Sequence, residues 1–219
     1  MKLKQRFSET DLSRIKAAVA EAENKISGEI VPVIVERSGN YNIANYKSGV
    51  FFGVFVFALM VVLDRYAIDA SLTLYYDPLF IFTIVMVSGA IGAVLPTLWP
   101  SFKRWLISRA ELDESCRESA ENAFLEEEVF NTRHRTGIMI FISFFEHEVI
   151  VMADRGISKV VEQKAWDQIV AELVANIRSG KVVEGIEAGV RKCGEILLEI
   201  GFHKTPDDIN ELRDDLRIN

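Results

Sequence analysis

The chain has few of the residues that commonly build covalent cross-links, metal centres or nucleic-acid surfaces. It holds only two cysteines and three histidines in 219 residues, and its net charge is −7. Cys116 and Cys193 lie on apolar helical stripes, which favours buried free thiols over a disulfide or a metal site. No clustered basic surface balances the acidic excess, so nucleic acid is not expected as a partner.

Familiar catalytic motifs are also missing from the chain. There is no P-loop, no GxGxxG and no GxSxG, and neither HExxH nor paired CxxC occurs. Residues 1–6 are basic, but a polar helical pattern follows rather than an apolar segment, so no signal peptide is expected. Function therefore has to be inferred from the order of the segments and from polar residues that the fold brings together.

Two long runs without charge interrupt an otherwise ordinary α/β pattern. Ser48–Leu63 and Pro78–Phe102 contain no charged residue. The second is long enough for a hydrocarbon core of ~30 Å. The first reaches that length if it is counted from Ile43 and if Lys47 snorkels. These runs predict a transmembrane hairpin with spans at about 43–63 and 79–101. A buried hairpin in a soluble core is the alternative, but the rest of the chain is too short to cover it.

Basic residues beside the spans predict the orientation of the hairpin. Lys47 precedes the first span, and Lys103, Arg104 and Arg109 follow the second, whereas residues 64–77 hold one arginine and three aspartates. The positive-inside rule then places both termini in the cytoplasm and the connecting loop outside. The prediction is a multi-pass protein of the cell inner membrane, in contact with the lipid bilayer, with a cytoplasmic soluble domain.

The remaining segments predict a small α/β/α sandwich that the hairpin interrupts. Ser8 and Asp11 approximate a capping box for a first helix, and a parallel crossover joins the first two strands. Pro32 argues against a central position for the first strand. The tail from Lys204 is charged and is expected to fray.

The predicted elements are strands Ile30–Val35, Ile138–Phe145 and Glu148–Ala153, and helices Trp105–Thr132, Ile157–Ile177 and one ending at Gly201. The predicted parts are residues 1–42 and 103–203 for the α/β domain, 43–102 for the hairpin and 204–219 for the tail.

Strand direction predicts where a site lies. The amino ends of two parallel strands share one edge of a sheet, and a third, antiparallel strand returns its carboxyl end there. Three segments then converge: Ser27–Glu29, His134–Gly137 and Asp154–Gly156. Carboxylates suit a hard divalent ion, and arginine with exposed backbone N–H groups suits phosphate. The candidate metal ligands are Glu29 and Asp154, and the candidate ligand-binding residues are Arg135, Thr136 and Arg155. The alternative is a structural salt-bridge cluster.

Other polar groups have simpler interpretations. Glu146–Glu148 is predicted to be a hairpin turn rather than a metal site, and Glu126–Glu128 a solvated face. Gly49 and Gly53 form a GxxxG in the first span, which packs helices either within the hairpin or between chains.

Several motifs in order resemble the TPM-domain family. They are Ser27-Gly28-Glu29-Ile30-Val31, Arg135-Thr136-Gly137-Ile138 and Ala153-Asp154-Arg155-Gly156-Ile157, followed by a helix with Gly185 and Gly189. The resemblance implies a small α/β/α sandwich, often tethered to a membrane, and its polar positions fall on Glu29, Arg135, Asp154 and Arg155. Acid phosphatase activity and divalent-cation binding are attributed to some members.

Two functions follow as hypotheses. The first is a membrane-anchored accessory or binding module that supports assembly or maintenance of a membrane protein complex, with an integral membrane protein as partner and a divalent cation (Ca²⁺ or Mg²⁺) as cofactor. The second is a metal-assisted phosphatase. No nucleophile is evident: Thr136 is the hydroxyl beside Asp154, so no catalytic residue is assigned.

Overall fold

The chain forms two compact units in a computed structural model that describes residues 3–66, 77–205 and 210–218. One unit joins Met1–Gly39 to Asp113–Asn219, and the other is Asn40–Leu112. The predicted external loop falls mostly on residues 67–76, and Asp207 and Asp208 of the tail fall on 206–209. Both segments lie outside the described residues.

The first unit is built on a four-stranded sheet in the order β3-β2-β1-β4. β1 and β2 are parallel, with Glu29 opposite Gly137 and Val35 opposite Ser143. β3 is antiparallel to β2, and β4 is parallel to β1. The predicted α/β fold and its parallel crossover are confirmed. The strands are β1 (Glu29–Val35), β2 (Gly137–Ser143), β3 (Glu148–Ala153) and β4 (Arg217–Ile218).

Helices cover both faces of the sheet, which explains why β1 and β2 are apolar at successive positions rather than at alternate ones. On one face, Ile30, Ile34 and Ile140 pack against α1, α7 and α8. On the other, Val31, Val33 and Phe141 pack against α5. Every residue of β1 and β2 is buried. These helices are α1 (Glu9–Glu23), α5 (Arg109–Glu126), α7 (Gln163–Arg178) and α8 (Val182–Glu199), with a short α6 (Arg155–Ser158) after β3.

The helix predicted over 105–132 is wrong at both ends. A separate helix, α4 (Pro100–Trp105), stops at Trp105, and α5 begins after Ser108. Ser108 and Glu111 form a reciprocal cap: the Ser108 N–H donates to Glu111 at 2.9 Å, and the Glu111 N–H donates to the Ser108 hydroxyl at 3.2 Å. This capping box starts a new helix, and an apolar stripe alone does not show such a break.

The tail is ordered at its end instead of fraying as expected. Arg217 and Ile218 pair with Val33 and Ile34 of β1, and the Arg217 guanidinium lies 2.7 Å from the Glu127 carboxylate. Leu212, Leu216 and Ile218 pack against the two cores. The aliphatic spacing of this segment was not recognised in the sequence because charged residues surround it.

Pro32 is accommodated because β4 is short. β1 is an inner strand of the sheet, contrary to the edge position that Pro32 favoured. β4 pairs only with Val33 and Ile34. The missing N–H of Pro32 therefore falls outside the β1–β4 ladder.

The second unit contains two helices that are long and apolar enough to cross a membrane, judged by length and composition: α2 (Asn42–Tyr66) and α3 (Pro78–Leu98). Only 17% and 6% of their most apolar windows are buried in the unit, which is unlike the core helix of a soluble protein.

The GxxxG of α2 packs against α3 within the hairpin. A Cβ on Gly49 would lie 3.0 Å from the Gly89 oxygen and 3.1 Å from Ala93 Cβ.

The divided first unit leads to a prediction about folding. We expect residues 108–219 alone to aggregate, because without β1 they expose one side of β2 and both apolar clusters. Joining Gly39 to Ser108 with a Gly/Ser linker of about ten residues should give a soluble monomer, because it restores β1 and keeps the Ser108 cap. Size-exclusion chromatography and circular dichroism distinguish the two outcomes. A cooperative, monomeric 108–219 fragment would contradict the role of β1.

Candidate functional site

One end of the sheet brings together the three polar segments that strand direction predicted. The Glu29 N–H donates to the Thr136 carbonyl at 3.3 Å, and the Asp154 N–H donates to the Gly137 carbonyl at 2.8 Å. Glu29 and Asp154 thus lie on opposite sides of β2, about 10 Å apart at two strand spacings. The predicted residues share one end of the sheet, but the two carboxylates are not immediate neighbours.

Glycine at position 137 allows another segment to lie between these two carboxylates. A Cβ on Gly137 would meet the Val129 carbonyl oxygen at 1.9 Å, and one on Gly156 would meet the Arg135 oxygen at 2.4 Å. The main chain after α5 therefore passes directly over the start of β2. The glycines of these motifs serve close packing of the backbone.

The buried Asp154 forms an ion pair with the partly exposed Arg135 in the segment before β2. The Asp154 carboxylate accepts the Arg155 N–H at 2.7 Å and so caps α6, and it lies 2.8 Å from Arg135 Nε. Arg135 Nε and Asp154 Oδ2 are close enough for charge attraction but are not aligned for a hydrogen bond with each other. Neither of these two atoms has another hydrogen-bond partner among the described residues. Arg135 has a φ of 58°, and its guanidinium lies 5.6 Å from the centre of the Phe130 ring. Charge attraction and the ring together hold Arg135 beside Asp154.

Glu29 is held by the C-terminal segment. Its buried carboxylate accepts the backbone N–H groups of Glu211 and Leu212, at 3.0 and 3.2 Å. Glu211 in turn accepts the Arg133 N–H at 2.9 Å, so the tail also ties the segment before β2. The sequence alone did not indicate Glu211 or Leu212. The spacing of Leu212, Leu216 and Ile218 was the signal that could have found them.

The other predicted ligands contribute in different ways. Thr136 is buried, and its N–H donates to the Thr132 hydroxyl at 2.9 Å. Arg155 has an exposed side chain and contributes its backbone N–H to Asp154. Within residues 3–66, 77–205 and 210–218, no group of three or more His, Cys, Asp or Glu side chains is placed to hold a metal ion. Glu29 and Asp154 stay a predicted pair of cation ligands, each already engaged by the protein.

Two interpretations of acidic segments can be compared with the structure. Glu146 lies in the β2–β3 turn as predicted, but it is buried: it accepts the Ser38 N–H at 2.9 Å and the Ser143 hydroxyl. In the predicted solvated face, Glu126 and Glu128 are exposed, whereas Glu127 is half-buried and pairs with Arg217. Glu146 and Glu127 therefore each connect segments that are far apart in the chain.

Glu23, at the end of α1, is a titratable group that the sequence did not indicate. Burial raises its pKa to about 8, and the nearby charges of Glu29 and Asp214 add to the shift, while the Ile30 N–H and Lys204 oppose it. The Ile30 N–H donates to this carboxylate at 2.8 Å. The group therefore joins the start of β1 to α1 and gains charge near neutral pH.

A prediction follows from the raised pKa of Glu23. Between its ordinary value of 4.5 and about 8, the unfolded chain loses the proton and the folded chain keeps it. Folding therefore becomes less favourable as pH rises through this window. Glu23→Gln keeps an acceptor for Ile30 and cannot ionise, so it should stabilise the protein at pH 8 by on the order of 1 kcal/mol.

Thermal unfolding of the full chain in detergent measures this effect. The gain should disappear at pH 4, where both states of the native chain bind the proton. Glu21→Gln, at an exposed position of the same helix, is the matched control and should show no such gain. An equal effect of Glu23→Gln at pH 4 and pH 8 would contradict ionisation as the cause.

Comparison with known proteins agrees with the fold. Residues 106–196 match the family model described as TPM domain, a range that holds β2 and β3 but not β1. No curated protein matches the chain. Among solved structures, the NMR structure of BA42 protein from the psychrophilic bacteria Bizionia argentinensis sp. nov. is similar at 17% identity and a TM-score of 0.61, covering 100% of this chain and 99% of that chain. Residues 106–196 are therefore similar to a TPM domain, and the chain has an α/β fold like that of BA42.

Proposed function

We propose that the protein is a membrane-anchored TPM-like accessory module that supports assembly or maintenance of a membrane protein complex. The observation that carries this proposal is the position of α2 and α3, which lie between β1 and α5 in the chain. Many of their large apolar side chains, among them Phe51, Phe55 and Phe82, are more than half exposed in the unit. Surface of this kind is stable only against lipid or protein.

The polar end of the sheet supports a binding role for the other unit. Arg155 is exposed, and Arg135 keeps 39% of its side chain accessible although it pairs with Asp154. Two guanidinium groups at one sheet end suit carboxylate or phosphate groups of a partner. We propose an integral membrane protein as that partner, with the lipid bilayer as the second contact.

Capture of partners from native membranes tests this function. The tagged full-length chain should recover a stable integral membrane protein after mild cross-linking. Arg155→Glu should reduce that recovery severalfold, because it reverses an exposed charge of the polar end. Lys164→Glu, at an exposed position of α7, is the matched control and should leave recovery unchanged.

The same preparation tests the alternative, a metal-assisted phosphatase. Two carboxylates and two arginines at one sheet end are the observation that favours it. Release of phosphate from p-nitrophenyl phosphate, lost in Asp154→Asn and without any captured partner, would replace the accessory module by the enzyme.

The proposed location is the cell inner membrane, with both termini and the TPM-like unit in the cytoplasm. A cysteine at Ser71→Cys should react with an impermeant thiol reagent in intact cells, because the positive-inside rule places that loop outside. The native thiols give a low background, since Cys116 and Cys193 are buried and burial raises the pKa of both to about 12. Labelling that occurs only after lysis would contradict this orientation and place the loop in the cytoplasm.

We further propose that a divalent cation, Ca²⁺ or Mg²⁺, binds at Glu29 and Asp154. Asp154→Asn should weaken binding at least tenfold, and the fold should persist because asparagine is also a good helix cap. A single ion at both carboxylates must draw them together across β2 and displace their present protein contacts. Glu29→Gln should then weaken binding as well, and the two effects should be non-additive because both groups hold that ion.

Calorimetric titration of the full chain with Ca²⁺, Mg²⁺ and Mn²⁺ measures the cation affinity. Asp167→Asn, at an exposed position of α7, is the control and should bind as the native chain does. Absence of binding at millimolar concentrations would leave the sheet end as a structural charge cluster.

A further inference from the structure

A cavity of about 380 Å³ lies at the opposite end of the sheet from Glu29 and Asp154. Ile142, Phe144 and Val149, at the ends of β2 and β3, line one side, and Val174, Ile177 and Val182 of α7 and α8 line the other. The volume is within the range of small-molecule sites, and the walls are mainly aliphatic, as in such sites. The cavity belongs wholly to the sheet-bearing unit.

The lining of this cavity includes one arginine. Arg178, the last residue of α7, lines the cavity and is exposed. It forms no ion pair with any residue in the part of the chain that the structure describes. His147 and Glu148 also line the cavity, but each already interacts with another group of the chain. The cavity therefore combines apolar walls with one available guanidinium.

We propose that this cavity binds a compact amphipathic carboxylate, with its apolar body between the sheet and the helices and its carboxylate on Arg178. A guanidinium holds a carboxylate through two parallel hydrogen bonds. The apolar walls favour a hydrocarbon or aromatic body, and a single arginine matches one negative charge better than the two of a phosphate monoester. The ligand class is an acyl or aryl-alkyl acid of about six to ten carbons.

Calorimetry of the full chain in lipid nanodiscs tests this site, with empty nanodiscs as the blank. The probes are 4-phenylbutyrate and its uncharged amide. For a ligand of this size we expect a Kd between about 10 μM and 1 mM for the carboxylate. The amide should bind about five- to tenfold more weakly, because it lacks the charge that Arg178 recognises.

Two variants separate the charge from the cavity. Arg178→Gln should weaken the carboxylate five- to tenfold and leave the amide unchanged, so that the preference disappears. Val174→Trp should abolish binding of both probes by filling the cavity. The matched controls are Lys164→Gln and Ala175→Trp, at exposed positions of the same helix, and both should bind as the native chain does.

The outcomes that overturn the proposal are distinct. They are no binding of 4-phenylbutyrate at several millimolar, equal affinity for acid and amide in the native chain, or binding that Val174→Trp leaves intact. If Val174→Trp lowers the unfolding midpoint strongly, the Arg178→Gln comparison of acid and amide decides. Binding of laurate alone, which is longer than the proposed class, would assign the site to bilayer-derived fatty acids and overturn it.

Discussion

The structure depends on the burial of β1, which precedes the hairpin in the chain, against strands and helices that mostly follow it. This strand comes before the apolar helices in the chain, and its partner β2 comes after them. All seven residues of β1 are buried, with alternate side chains in the two apolar clusters. Neither cluster is complete without β1, so the sheet-bearing unit requires sequence from both sides of the hairpin.

Carboxylates extend this dependence on distant segments. Glu23 accepts an N–H from the start of β1, Glu29 accepts two from the C-terminal segment, and Glu146 accepts one from Ser38. Each is buried and hydrogen-bonded, which is the condition under which a buried carboxyl group is tolerable. Protein groups also occupy Asp154, so a ligand at the polar end competes with the protein for both Glu29 and Asp154.

The two ends of the sheet differ in chemistry. One end gathers Glu29, Arg135 and Asp154, with an exposed Arg155 beside them. The other end opens into a mainly aliphatic cavity with Arg178 at its margin. The parallel crossover creates this division, because it places the polar starts of β1 and β2 together at one end and the β2–β3 turn at the other.

Much of the fold was predictable from local pattern. Short β-branched runs identified β1, β2 and β3, the Ser8–Asp11 pair identified the start of α1 and is observed as a capping box, and uncharged length identified α2 and α3. Strand direction then placed Glu29, Arg135 and Asp154 at one end of the sheet. These features depend on residues that are close in sequence, or on a topological rule with few alternatives.

Tertiary structure decided the features that depend on residues far apart. The position of Val129 over Gly137 separates the two carboxylates, and the tail that was expected to fray supplies β4 and the partners of Glu29. The sequence determined which segments are helix, strand or apolar span, because periodicity and length are local properties. Which polar groups are buried, and which are left for a ligand, was settled only by packing, because burial depends on segments that meet only in the folded chain.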